Sequence, residues 1–88
     1  MFTQNEIENA ISCVQKENIK FKKICYNEDN SNRILAEFKE TDINSENLIV
    51  ISSSFKKNNI LHKKYIWILS RQNVADNWKI IESYDLEQ

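Results

Sequence analysis

Apolar residues at Ile7, Ala10, Ile11 and Val14 fall at i, i+3, i+4 and i+7, the stripe of an amphipathic helix. The sequence just before them supplies a start signal. Thr3 and Glu6 form a capping-box pair, and Phe2 and Ile7 occupy the hydrophobic-staple positions. The pattern predicts a helix from about Gln4 to Glu17.

Beyond Glu17 the period changes. Ile19 and Phe21 alternate with Lys20 and Lys22, so Ile19 to Tyr26 reads as a strand. Ile24 has the wrong parity, which a bulge near Lys22 and Lys23 would repair. Asn27 to Asn32 reads as a turn cluster. Arg33 to Glu40 alternates again, with Ile34, Ala36 and Phe38 on one side. Thr41 to Asn47 is a polar loop. Leu48 to Phe55 opens with Leu48, Ile49, Val50 and Ile51, apolar on both faces as in a central strand. Lys56, Lys57, Asn58 and Asn59 make a hairpin turn. Ile60 to Arg71 is a long strand, apolar on both faces over residues 65–69. Residues 72–77 turn the chain, and Trp78 to Leu86 is the last strand.

The expected fold class is therefore α+β. One N-terminal amphipathic helix packs on a curved antiparallel sheet of about five strands, an αβββββ meander in a single domain over residues 1–88. A domain of this size buries only roughly 60 % of its unfolded surface, which leaves little room for a deep cleft.

Composition sharpens this picture in one respect. The chain has 0 Gly and 0 Pro, where average usage would give about 6 and about 4. Ile, Asn and Lys dominate, the imprint of AT-rich codons, so a bacterium or one of its mobile elements (a phage, for example) is the expected source. Turns must be built from Asn, Asp and Ser. A phosphate-cradling glycine loop, a dinucleotide-binding turn and a nucleophile elbow are excluded, since each needs glycine where the backbone bends or meets a ligand. Hydrophobic residues are 41 %, charged residues 28 % and the net charge is -1, so bulk charge selects no partner. No apolar run is long enough for a membrane span, and the polar, acidic N-terminus is unlike a secretory signal. The expectation is a soluble cytoplasmic protein with Cys13 and Cys25 reduced.

Candidate chemistry is thin. His62, Cys13 and Cys25 supply at most three metal donors, at spacings that match no zinc pattern. Cys25 and His62 as a nucleophilic pair lack a third residue to orient them. The acidic pairs, such as Glu37 with Glu40 or Asp85 with Glu87, read as solvated surface. No metal, no cofactor and no catalysis are expected. Acids cluster in 37–46 and 82–87, and bases in 20–23 and 56–64, which predicts a basic end and an acidic end.

The stretch Tyr65-Ile66-Trp67-Ile68-Leu69-Ser70-Arg71, a polar turn, and Trp78-Lys79-Ile80-Ile81-Glu82-Ser83-Tyr84 resembles the last hairpin of cystatin-like and NTF2-like α+β domains. The resemblance covers about 20 residues. It implies a helix wrapped by a curved antiparallel sheet, a fold type bacteria also use for small toxin-neutralising and lipoprotein domains. It does not imply protease inhibition, because the cystatin inhibitory loop contains glycine. Nor does it imply the deep NTF2-like pocket, which larger chains build.

Function is then expected from geometry. Five strands span about 20 Å, whereas one helix is about 10 Å wide. Yet Ile66 and Ile68 on one face and Tyr65, Trp67 and Leu69 on the other are all apolar. Either the sheet curls around the helix, or the uncovered face binds a second copy, another protein or a small ligand. The leading expectation is a non-catalytic, stoichiometric inhibitor or adaptor, such as a toxin-immunity protein or a mobile-element inhibitor of a defence nuclease. Its partner surface would be Tyr65, Trp67, Leu69 and Trp78, with Lys56, Lys57, Lys63 and Lys64. The alternative is a nucleic-acid-binding module using the basic hairpin from Lys56 to Lys64, with Tyr65 and Trp67 as stacking platforms.

Overall fold

A computed structural model describes residues 1–17, 23–38, 42–57 and 59–86, with the side chains of Lys57, Leu61 and His62 outside that set. The element order is α1 (Gln4–Glu17), β1 (Lys23–Cys25), α2 (Glu28–Glu37), a single 3-10 turn (Ser45–Asn47), β2 (Leu48–Lys57), β3 (Ile60–Ser70) and β4 (Lys79–Asp85). The four strands form one antiparallel sheet in chain order, β1-β2-β3-β4. Among the described residues no helix is long and apolar enough to cross a membrane.

The first helix follows its sequence signals closely. The Thr3 backbone N–H donates to Glu6 Oε1 at 2.9 Å, and the Glu6 N–H donates to Thr3 Oγ1 at 3.2 Å. The reciprocal pair satisfies donors that the first helical turn leaves without partners. Ala10 and Val14 are fully buried, and Ile7 and Ile11 pack beside them.

The second helix corrects the expected turn at 27–32 and strand at 33–40. Asn27 is its N-cap, with the side chain accepting from the Asn30 N–H at 2.9 Å. Glu28 and Asp29 place negative charge in the first turn, where the helix dipole favours it. Its inward stripe is Ser31, Ile34, Leu35 and Phe38, again i, i+3, i+4 and i+7. A serine in the first of those positions breaks the apolar stripe, and what remains, Ile34, Ala36 and Phe38, mimics strand alternation.

Ser31 faces inward for a reason. β1 pairs only with Ser52, Ser53 and Ser54, so the edge of β2 at Val50 has no strand beside it. The Val50 N–H instead donates to the buried Ser31 hydroxyl at 3.2 Å. α2 thus closes the ladder where β1 ends.

The sheet has four strands among the described residues, and it does not wrap a single helix. α1 lies over one face, on β1, β2 and β4, and α2 lies over the other, on β2. The first face holds Ile49, Ile51, Trp67 and Leu69, together with Trp78 from the turn before β4. The second holds Leu48, Val50, Ile66 and Ile68 against Ile34, Leu35, Phe38 and Ile43. Strands β2 and β3 are apolar on both faces because both faces carry a helix. The expected residues 19–22 of the first strand, and the bulge placed at Lys22, lie outside the described residues, as do Lys39 and Glu40. Bulges occur instead at Phe55/Lys56 in β2–β3 and at Ile68/Leu69 in β3–β4.

Turns use Asn as the composition requires. Asn59, in the β2–β3 hairpin, takes φ 65°, a left-handed conformation that Asn tolerates better than most residues. Asn73 accepts from the Ala75 N–H at 2.9 Å through its side chain and from the Asp76 N–H at 3.0 Å through its carbonyl.

If Ser31 completes the β2 ladder, Ser31→Ala leaves a buried N–H without a partner and should cost about 1–3 kcal/mol. Urea unfolding of the two proteins measures this. A change under about 0.5 kcal/mol, typical of a surface substitution, would refute the role.

Candidate binding surface

The sequence-predicted partner residues divide between core and surface. Trp67, Leu69 and Trp78 are buried under α1 at 8 %, 0 % and 6 % exposure, so they pack the core and present no surface. The Trp67 indole N–H donates to Ser53 Oγ at 2.7 Å within that core. Tyr65 is half-buried, with its ring stacked on Trp67 at 5.9 Å between centroids. Lys56 and Lys64 are exposed. The Lys57 side chain lies outside the described residues, as does that of His62.

Lys63 carries a second correction. Its Nζ lies 3.0 Å from Asp85 Oδ2. Antiparallel pairing sets Asp85 opposite Tyr65, so the acidic end of β4 runs beside the basic start of β3. The basic and acidic clusters of the sequence therefore meet at one end of the sheet there, instead of separating. Lys63 and Lys64, as neighbours in a strand, also point to opposite faces. Lys63 and Lys64 therefore do not share one face of the hairpin.

Two features stand out in the geometry. The first is a node around Arg71, at the end of β3, whose side chain is 3 % exposed. Its Nη2 donates to the Glu46 carbonyl at 2.7 Å and lies 2.5 Å from Glu6 Oε2. Nε donates to Asn47 Oδ1 at 3.3 Å, and Nη1 reaches the Val74 carbonyl at 3.5 Å. The guanidinium stands 4.3 Å above the Trp78 ring, and the Trp78 indole N–H donates to the Glu6 carbonyl at 3.0 Å. The hydrogen bond from the Thr3 backbone, with the Arg71 guanidinium next, holds the Glu6 carboxyl below its ordinary value. Every polar atom of the node is engaged, which marks it as a structural clasp with no reactive group to spare.

The second feature is a groove of about 590 Å³ between α2 and the β3–β4 half of the second face. α2 packs mainly on β2 and leaves the groove along β3 and β4, although Ile66 and Ile68 at its base are buried. Ile66 and Ile68 form its base, Ile34 and Phe38 its α2 wall, and Tyr84 and Leu86 its outer rim. Tyr84 and Leu86 are 44 % and 52 % exposed. Arg33 and Lys64 add positive charge and Glu37 negative charge at the margin. On β4 the Tyr84 hydroxyl is bonded to the Glu82 carboxylate, which pushes the phenol above its ordinary value.

Of the groove residues, sequence reasoning named only Lys64 as part of a partner surface, although Ile66 and Ile68 were placed on the face opposite Trp67. The signal that would have found them is the register of β3 against β4, which pairs Ile66 with Tyr84 and Ile68 with Glu82. Cys13 and Cys25 are thiols, bonded to the Trp78 carbonyl and to Ser52 respectively. No group of three metal-binding side chains occurs among the described residues. No protein family, no curated protein and no solved structure matches the chain.

The clasp makes a testable statement about acid stability. Glu6 has a lowered folded-state pKa, so its contribution is complete above the ordinary carboxylate range, about pH 4.3. It is lost as pH falls through the lowered value. Glu6→Gln should therefore lower stability at pH 7 and flatten the fall below pH 4. Arg71→Met, which leaves Glu6 and two carbonyls without their cation, should cost about 3 kcal/mol at pH 7. Urea midpoints at pH 7 and pH 3 measure both; an acid limb as steep in Glu6→Gln as in the parent would contradict the assignment.

Proposed function

We propose that this chain is a non-catalytic protein-binding module, an inhibitor or adaptor that acts by stoichiometric capture of a partner through the groove and the β4 strand beside it. The observation that carries this reading is the placement of exposed apolar side chains. Tyr84 and Leu86 stand together at the groove's rim, on β4 and just past its end, whereas Met1, Ile60, Val74 and Ile81 lie outside the groove. Single exposed apolar residues are ordinary, but a cluster at the rim of an apolar groove is what a contact surface requires.

Glu37 lines the groove together with Arg33 and Lys64, and Glu82 stands on β4 two residues before Tyr84. At the strand, Glu82 suits a cationic group of the partner, since complementary charge fixes register. A nuclease displays such a cationic surface toward nucleic acid. A toxin-immunity protein or a mobile-element inhibitor of a defence nuclease fits such a partner.

Mixing the chain with proteins encoded beside it and measuring mass by light scattering tests the reading directly. A one-to-one complex is expected. Tyr84→Ala combined with Leu86→Ala should weaken it by about tenfold or more, as loss of a central contact does. The unfolding midpoint should fall only slightly, because both side chains are about half exposed. A complex indifferent to both substitutions would remove the groove from the function.

A further inference from the structure

We propose, resting on the protein-binding reading above, that the partner enters as an extended basic segment that adds to β4 as a fifth, antiparallel strand. β4 is an edge: among the described residues it pairs with β3 alone. Two hydrogen bonds fix which of its backbone groups point outward. The Leu86 N–H donates to the Lys64 carbonyl at 2.8 Å, so Leu86 turns its backbone toward β3. Val50 turns its N–H away from β3, which by alternation makes its partner Ile68 face β4 and pair by hydrogen bonds with Glu82. Both bonds give the same phase. Glu82, Tyr84 and Leu86 face β3, and Ser83 between them presents its N–H and C=O to the open side.

The bulge at Ile68/Leu69 leaves Ile81 as the extra residue on β4 and interrupts the ladder there. The regular edge is therefore the stretch from Glu82 to Leu86. A strand laid antiparallel against it has one residue bonded to Ser83. The residues before and after that one lie on the groove side, opposite Tyr84 and Glu82 respectively. Tyr84 calls for an apolar side chain and Glu82 for Lys or Arg. The recognised pattern is apolar, any residue, basic, read from N- to C-terminus.

Charge also separates this occupant from a second copy. Two β4 strands paired about Ser83 would bring their Glu82 carboxylates to a diagonal spacing of about 7–8 Å. A basic strand turns the same proximity into attraction.

The probe is a displayed library of random eight-residue segments selected on the full folded chain. Enrichment of apolar-x-basic segments is expected. Their binding should fall by about tenfold or more in Ser83→Pro, which removes the outward donor without touching the β3 ladder. Glu82→Lys should shift the third position of the pattern from basic to acidic. A synthetic chain with an ester in place of the residue-83 amide removes the same donor and should lose binding likewise, even if the proline variant fails to fold. Three results would overturn the proposal. Enriched segments that ignore the ester but are lost on Leu86→Glu would show groove binding without strand addition, and would leave the protein-binding reading intact. A library with no enrichment would reject extended segments as ligands, whatever complex light scattering finds. A dimer of the chain that the ester dissolves would make the second copy the occupant.

Discussion

The buried Arg71 guanidinium is the constraint around which the molecule is arranged. It joins the start of α1 through Glu6, the 3-10 turn through Glu46 and Asn47, and the β3–β4 connection through Val74 and Trp78. These segments are far apart in sequence and are apolar only in part. Net stability is not the main contribution of such an ion pair, because desolvation of both charges offsets much of their attraction. Its contribution is geometric. A planar cation with acceptors on each of its nitrogens and an aromatic ring beneath it is satisfied in one arrangement of the three segments. That arrangement seats α1 on the Trp67 face.

Once α1 is seated there, the rest of the fold follows from parity. The apolar runs of β2 and β3 send alternate side chains to opposite faces, so Leu48, Val50, Ile66 and Ile68 remain to be covered. α2 is brought to that face by the short β1 and held by the hydrogen bond from Val50 to Ser31. It has ten residues, a length of about 15 Å. It is also tied to the β2 edge, so it cannot reach across to β4. The groove is the part of the second face that a helix anchored at one edge leaves open.

Legibility in the sequence tracked how local the cause was. α1 was fully legible, because its cap and its stripe lie within fifteen residues of each other. The β2–β3–β4 succession was legible from apolar runs and from Asn-rich turns. α2 was not, since its inward serine makes sense only beside Val50, a partner nineteen positions away. Two-faced strands showed that one helix could not cover the sheet, and a second helix covers the other face. The location of the open surface was not legible, because an aromatic side chain such as Trp67 or Trp78 looks equally suited to core and surface until the helix that covers it is placed. The meeting of Lys63 and Asp85 was hidden for the same reason: charge clusters in sequence carry no information about strand register.

The edge of β4 shows how one set of residues can serve two demands. An open strand carrying exposed apolar side chains invites pairing with copies of itself. Removing the apolar residues would prevent that and would also remove any contact surface. Bulging at Ile81 and the acid at Glu82 act differently. The bulge limits regular pairing to about one short segment, too little to hold a large sheet together by backbone bonds alone. On the proposed reading, Glu82 then makes the outcome depend on the incoming charge, repelling an identical edge and favouring a basic one. Selectivity at such an edge comes as much from what is repelled as from what is bound. In a chain of this size, with both helices committed to covering the sheet, the strand edge is the surface left on which such a choice can be made.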